Sequence, residues 1–250
     1  PIELFNSLIN ECKEMGINFI KGQNIISAKK DYVETSSKNK YYFDHFINAC
    51  GGYALEVAKL FKIKTPYKLL PFKGLYLKSV SQCKEFSKHI YPVPDIEQPF
   101  LGIHTTITSD NFLKLGPTAI PVFSPENYTL FEGLDLKLSR EIFFLQLNLL
   151  AKNEFNFRDL AFREMKYLIK KNIILKANEL TSLNLNDIKF EWNSPGIRAQ
   201  LFNQESKQLE NDFVLITKDN SYHILNSISP AWSCSFVNAK KIINDLIKNL

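Results

Sequence analysis

The sequence predicts an α+β fold, in which a β-rich centre is flanked by segments that mix strands and helices. Three observations predict it. Residues 139–171 carry apolar side chains at helical spacing. Residues 66–117 form strand-like runs punctuated by six of the eleven prolines. A strand ending at Gly51-Gly52 runs directly into the helical segment YALEVAKLF. The length of 250 residues fits one large domain or two closely joined ones.

The elements follow in order. Ile2, Phe5, Leu8, Ile9, Cys12 and Met15 recur at helical spacing, and Gly16 stops that helix. Short β-type stretches come next: NFIKG, NIISAKK, DYVETSS and YYFDHFINAC, separated by Asn- and Lys-rich turns. The middle continues as PYKLLPFKGLYLKS, HIYPVP, PFLGIHTTIT and NFLKLGPTA. The helical stretch 139–171 reads as two helices broken near Asn153. Residues 172–195 are ambiguous, with Ser182–Asp187 as a cap or turn. The chain ends in PGIRAQLFN, a hairpin DFVLITKDNSYHILN and a helix from about Pro230 to Leu250. It has no repeats, heptads or low-complexity tail.

Composition excludes several classes. With 45% hydrophobic and 23% charged residues, most of the chain is not disordered. A net charge of +5 is too small to argue for nucleic acid, and none is expected as a partner. Cys12, Cys50, Cys83 and Cys234 form no CxxC pair, so they read as reduced intracellular thiols and not as metal ligands. No apolar run is long enough to span a membrane, and no signal peptide is visible. The basic residues are 27 Lys against four Arg. That bias makes each Arg a candidate for a role that needs a planar fork. Arg140, Arg158 and Arg163 fall on helices and read as solvated, whereas Arg198 follows a glycine turn.

Taken singly, FINACGGYA, PGIRAQL and HILNSISPAW are a turn, a salt-bridge site and a satisfied histidine. Their joint order resembles one family, the FAD-dependent L-2-hydroxyglutarate oxidases and dehydrogenases, within the flavoproteins related to D-amino-acid oxidase. The family pattern NxAGxxAD corresponds to Asn48–Ala54, and PFRGEY to Pro71–Tyr76. YPVPDxxxPFLGVHxT stands almost intact from Tyr91 to Thr105, followed by Leu115-Gly116-Pro117. GVRAQ is Gly196–Gln200, the DF segment is Asp212-Phe213, and HxxNxPSPAxT is His223–Ser233. Nearly the whole chain is covered. The Tyr91–Thr105 block is specific to the family, while the Asn48 turn is common to many flavoproteins.

The resemblance implies an α/β flavoprotein: part of a FAD-binding domain of glutathione-reductase type with an inserted substrate domain of mostly antiparallel sheet. Residues 1–64 and 196–250 would belong to the FAD-binding domain, and 65–195 to the substrate domain. The sequence contains no GxGxxG turn to hold the FAD pyrophosphate. By resemblance about 150 residues, one small domain's worth, precede Pro1 in an intact member. The chain therefore reads as the later part of an enzyme.

The implied reaction is oxidation of L-2-hydroxyglutarate, a dicarboxylate, to 2-oxoglutarate by hydride transfer to FAD. The electron acceptor is oxygen or a membrane quinone. Arg198 is the expected carboxylate clamp, with Lys73 and Tyr76 completing the pocket for the second carboxylate. His104 and His223 are the candidate bases, His104 placed first and His223 nearly level. Asn48, Gly51, Gly52, Asn226, Ser229, Pro230 and Ala231 are the expected flavin contacts. Two departures stand out: Lys73 and Leu75 replace the Arg and Glu of PFRGEY, and bulky Trp232 stands where the family has a small residue. The expected location is cytoplasmic, or peripheral on the inner membrane, where the lysine excess would favour an anionic surface. Two alternatives compete: another superfamily flavoenzyme, acting on glycerol 3-phosphate or an amino acid, and a non-catalytic remnant that would expose apolar surface.

Overall fold

The computed structural model describes residues 2–93, 100–129, 132–228 and 230–248. The first helix, α1 (Ile2–Glu14), ends as expected, with Gly16 at a positive φ of 81° that few other residues tolerate. None of its residues is buried. Next come β1 (Ile25–Ala28), β2 (Tyr32–Thr35) and β3 (Lys40–Tyr42), an antiparallel meander. Then β4 (Phe46–Asn48) leads through a short 3-10 turn at Gly51–Tyr53 into α2 (Ala54–Leu60).

The β-rich centre is organised by one long strand, β5 (Tyr67–Gln82). It is followed by β6 (His104–Ile107), β7 (Phe112–Gly116) and β8 (Ile120–Pro121). Three helices come next: α3 (Leu136–Lys152), α4 (Phe157–Met165) and α5 (Lys170–Asn178). The break at Asn153 is real: this residue turns left-handed at φ 51° and ends α3. The ambiguous stretch 172–195 resolves into α5, a turn and the start of β9 (Phe190–Asn203). The chain closes with β10 (Gln208–Leu209), β11 (Val214–Lys218), β12 (Ser221–Asn226) and α6 (Ser235–Lys248).

The main sheet has the order β10-β9-β5-β7-β6, with β8 also on β5, and every pairing in it is antiparallel. Strands β5 and β9 pair from Tyr67↔Asn203 to Ser79↔Phe190. Strand β9 runs without interruption across residues 195 and 196, where the sequence suggests a change of domain. The register shifts between Gly74 and Tyr76, beside the Gly74↔Gly196 pair. Paired glycines with no side chains to pack are what such a bend requires. The expected strand at HIYPVP is reduced, among the described residues, to a single bridge from Ile90 to Thr105.

Helices cover this sheet. Leu149, Phe157 and Leu160 pack on Phe72 and Phe202, and Ile173 and Ala177 pack on Leu77, Leu113 and Leu115. The remaining sheet, β11-β12-β4, contains the parallel pair β4–β12, joined in register at His223↔Asn48. Helix α2 packs beside it through Ala54, Leu55 and Ala58. Strand β4 forms the edge of that sheet, with β12 on one side.

Candidate active site

Parallel strands β4 and β12 end on the same side, and the crevice beyond the carboxyl ends of parallel strands is where such sheets bind ligands. The Gly51–Tyr53 turn sits there against both β12 and β9. A methyl group on Gly52 would come within 2.7 Å of the Pro125 Cβ and 3.3 Å of the Ala199 Cβ. Only glycine allows this approach, and it brings the turn beside the strand residue that follows Arg198.

Asn48, buried completely, locks the turn in place. Its amide nitrogen donates to the Ala54 carbonyl at 2.7 Å and to His223 Nδ1 at 3.0 Å, and its oxygen accepts from the Cys50 N–H. His223 must therefore accept at Nδ1, which puts its proton on Nε2, 3.0 Å from the Ser221 hydroxyl oxygen. The Ser221 hydroxyl in turn donates to the Lys218 carbonyl. Both ring nitrogens are occupied, the residue is 1% exposed, and the Phe61 ring meets its imidazole edge-on at 4.9 Å. Burial pushes its pKa down to about 4. The expectation that His223 stands level with His104 as a base is corrected on these grounds: it is a neutral pin between β4 and β12.

A cavity of about 680 Å³ opens on one face of the main sheet. Arg198, Tyr76 and His104 line it together. Phe72 and Arg198 are direct cross-strand partners and so share a face of the sheet. The Arg198 guanidinium lies over the Phe100 ring at 5.2 Å, and Phe100 packs on Phe72 at 4.6 Å. Burial lowers the pKa of Arg198, yet an arginine remains charged at neutral pH. The Tyr76 phenol is pushed up by burial and stays protonated, with the Lys114 ammonium 4.4 Å above its ring.

His104 opens β6, half-buried, with the Tyr91 ring tilted against its own at 4.5 Å between centroids. Its Nδ1 lies 2.9 Å from the Gly102 carbonyl. A carbonyl only accepts, so Nδ1 carries the proton, and in the neutral ring Nε2 keeps the lone pair. Burial first, and the neighbouring His89 to a lesser degree, hold its pKa below the ordinary value against the pull of the Gly102 bond. A neutral ring with its basic nitrogen turned away from the carbonyl is what a general base requires.

Lys73, expected in the pocket, is not among its lining residues. Strand alternation sends it to the opposite face from Phe72, where its ammonium donates to the Tyr128 carbonyl at 3.2 Å. In its place the cavity gains groups from the helices. Arg163, Glu164 and Tyr167 line it from α4 and the turn after it. This corrects the reading of Arg163 as a residue on a solvated face alone. Glu164 is buried, accepts the Ala119 N–H at 2.7 Å and has its pKa raised by burial. A glutamate in the buried series Ala161, Glu164, Tyr167 was the available signal, since a carboxylate on an inward helical stripe needs a reason. Arg158 is used elsewhere: it donates to the Leu150 and Ala151 carbonyls at the end of α3.

Asn226 and Gln200 show whether the crevice suits a flavin. Both side-chain amides donate to the Glu210 carbonyl, and their buried Oδ1 and Oε1 atoms have no partner among the described residues. Buried acceptors left without a donor are groups that a bound flavin ring, with its mixed donor and acceptor edge, would satisfy. Ala231 is spent on a turn, its N–H donating to the Ile228 carbonyl, and Pro230 accepts from the Cys234 N–H. Ser229 lies outside the described residues. Trp232 points outward, 57% exposed and 6.4 Å from the Phe5 ring.

Comparison with known proteins agrees with this architecture. Residues 1–160 match the model of the DAO family, described as FAD dependent oxidoreductase. Curated relatives include L-2-hydroxyglutarate dehydrogenase of Escherichia coli K12, 27% identical over 80% of this chain and 46% of its own length. The mitochondrial protein of that name from Mus musculus is 26% identical over 97% of this chain and 54% of its own. The chain thus spans about half the length of the curated relatives it matches. Among solved structures, L-proline dehydrogenase from P. horikoshii aligns with a TM-score of 0.50 at 12% identity, covering 89% of this chain and 48% of that one. A glycerol-3-phosphate dehydrogenase from Bacillus halodurans complexed with FAD gives 0.51 at 11%, covering 92% and 39%. At such identities these two show the fold alone.

Proposed function

The chain belongs to the DAO family of FAD-dependent oxidoreductases, and from that premise we propose that it contributes the substrate site of an enzyme oxidising a 2-hydroxy dicarboxylate, L-2-hydroxyglutarate, to the 2-oxo acid. The observation that carries this reading is that Arg198 and His104 line one cavity. A guanidinium stacked on Phe100 offers its fork to a carboxylate, the geometry arginine supplies best. The basic Nε2 of His104 takes the proton of the substrate hydroxyl as the carbonyl forms. The half-buried Tyr76 phenol donates a hydrogen bond to a substrate oxygen, and the apolar walls from Phe72 and Phe100 exclude water. Gly51, Gly52 and Asn226 would hold the ring end of the flavin. When bound, the flavin supplies the acceptor for the hydride that leaves the substrate carbon.

The names of the curated relatives and the YPVPD block favour L-2-hydroxyglutarate over glycerol 3-phosphate. An anaerobic titration tests it: protein loaded with FAD should lose its flavin absorbance on adding L-2-hydroxyglutarate and not on adding glycerol 3-phosphate. An FAD-loaded protein that no 2-hydroxy acid bleaches would refute the proposal.

A further inference from the structure

A dicarboxylate brings two negative charges into the cavity, and Arg198 clamps one of them. The second would stand in a partly buried space without a cation, which is costly. Lys73, expected to meet it, is turned to the other face of the sheet. Tyr76 donates a hydrogen bond but carries no charge, and the neutral His104 ring is engaged with the hydroxyl.

Among the described residues that line the cavity, the cationic side chains are Arg163, Lys176 and Arg198. The Lys176 ammonium pairs with Glu179 at 2.5 Å. Arg163 is placed differently. It comes from α4 and Arg198 from β9, so the two guanidiniums reach the cavity from a covering helix and from the sheet. Arg163 Nε lies 3.7 Å from the carboxylate of Glu164, which is itself buried and fixed by the Ala119 N–H. That contact ties the guanidinium to the cavity wall. Burial raises the pKa of Glu164, which favours its neutral form and weakens its repulsion of an incoming carboxylate. Composition points the same way. The chain has four arginines beside 27 lysines, and two of the four line this one cavity. Lysine would supply charge as well; what arginine adds is a fork that fits a planar carboxylate.

We propose that Arg163 binds the carboxylate remote from the reacting carbon and sets the preference for 2-hydroxy dicarboxylates over 2-hydroxy monocarboxylates. The proposal rests on the assignment of Arg198 and His104 to the carboxylate and hydroxyl at the reacting carbon, and it extends that assignment to the far end of the substrate.

The test compares two substrates on FAD-loaded protein. One is L-2-hydroxyglutarate. The other is L-2-hydroxyvalerate, the same carbon chain with a methyl group for the distal carboxylate. Arg163→Gln should reduce the ratio of the first kcat/KM to the second roughly tenfold or more. Arg163→Lys keeps the charge without the fork and should fall between variant and parent. Arg198→Lys alters the clamp on the carboxylate that both substrates share, so it should lower both values and hold their ratio within about threefold. Calorimetric titration with glutarate and valerate needs no turnover. The parent should bind glutarate roughly tenfold more tightly than valerate, and Arg163→Gln should lose that margin. Circular dichroism and the thermal midpoint check the fold of each variant, and where Arg163→Gln unfolds, Arg163→Lys carries the same comparisons. A kcat/KM ratio that stays at the parent's value overturns the proposal and leaves the parts of Arg198 and His104 standing. A parent that no 2-hydroxy acid reduces refutes those parts instead. The titration then decides for Arg163: a margin lost in the variant supports its binding role, and an unchanged margin overturns it.

Discussion

The neutral state of His223 carries a measurable stability cost in acid. In the unfolded chain its imidazole takes up a proton below about pH 6.5, whereas in the folded protein it does so only at about pH 4. Between those values the unfolded state binds more protons, so stability rises with pH. The contribution is present in full above about pH 6.5 and is lost as the pH falls towards 4. The gap corresponds to about 3 kcal/mol, of which about 2 kcal/mol is expressed between pH 7 and pH 4.5. The physical source is the burial of the ring, which penalises its charged form. Carboxylates also titrate in this range, so the assay compares slopes. Urea unfolding of the parent and of His223→Gln at pH 7 and pH 4.5 should show the parent losing about 2 kcal/mol more than the variant. Parallel losses, or an NMR titration placing the His223 midpoint near 6.5, would refute the reasoning.

Other expectations concern the cavity and the turn beside it. Arg198→Lys keeps the charge but loses the bidentate fork, and should raise the KM for L-2-hydroxyglutarate about tenfold or more with the fold intact. His104→Gln should lower turnover of FAD-loaded protein by about 10²–10⁴. In the parent, turnover requires the neutral His104 ring, whose pKa burial holds below its ordinary value. Its pH profile should therefore rise from acid with a midpoint below that of an ordinary histidine, and the His104→Gln protein should lack that limb. Gly52→Ala would drive a methyl group into Pro125 and Ala199, so thermal or urea unfolding should show a loss of about 1–3 kcal/mol.

Much of the local structure is legible in the chain itself. Gly16 ends α1, Asn153 separates α3 from α4, and Gly51-Gly52 turns a strand into a helix. These are local events, set by which residues tolerate left-handed or close-packed backbone. The proline-punctuated centre reads as strands for a similar reason, since period-two patterning and turn residues act over a few positions, with HIYPVP the exception. Residues 172–195 were harder. Lys170–Asn178 is helical because Ile173 and Ala177 fill the space over β5 and β7, a partner that no short window contains.

The candidate site divides along the same line. The sequence by itself determined the residue types: one arginine after a glycine turn, two histidines in motif blocks, and a glycine pair at a strand end. Only the tertiary structure decided their parts. Lys73 and Phe72 are neighbours in the chain, yet alternation along β5 sends one to the Tyr128 carbonyl and leaves the other beneath the cavity. His104 and His223 look alike in sequence, but a carbonyl accepting at Nδ1 leaves the first with a basic nitrogen, and an amide donating at Nδ1 takes it from the second. Arg163 and Glu164 enter the cavity because α4 folds back over the sheet, a contact between residues more than forty positions apart in the chain. A side chain's type is written in the sequence. Its protonation, its face and its neighbours follow from burial and long-range pairing, which exist only once the chain has folded.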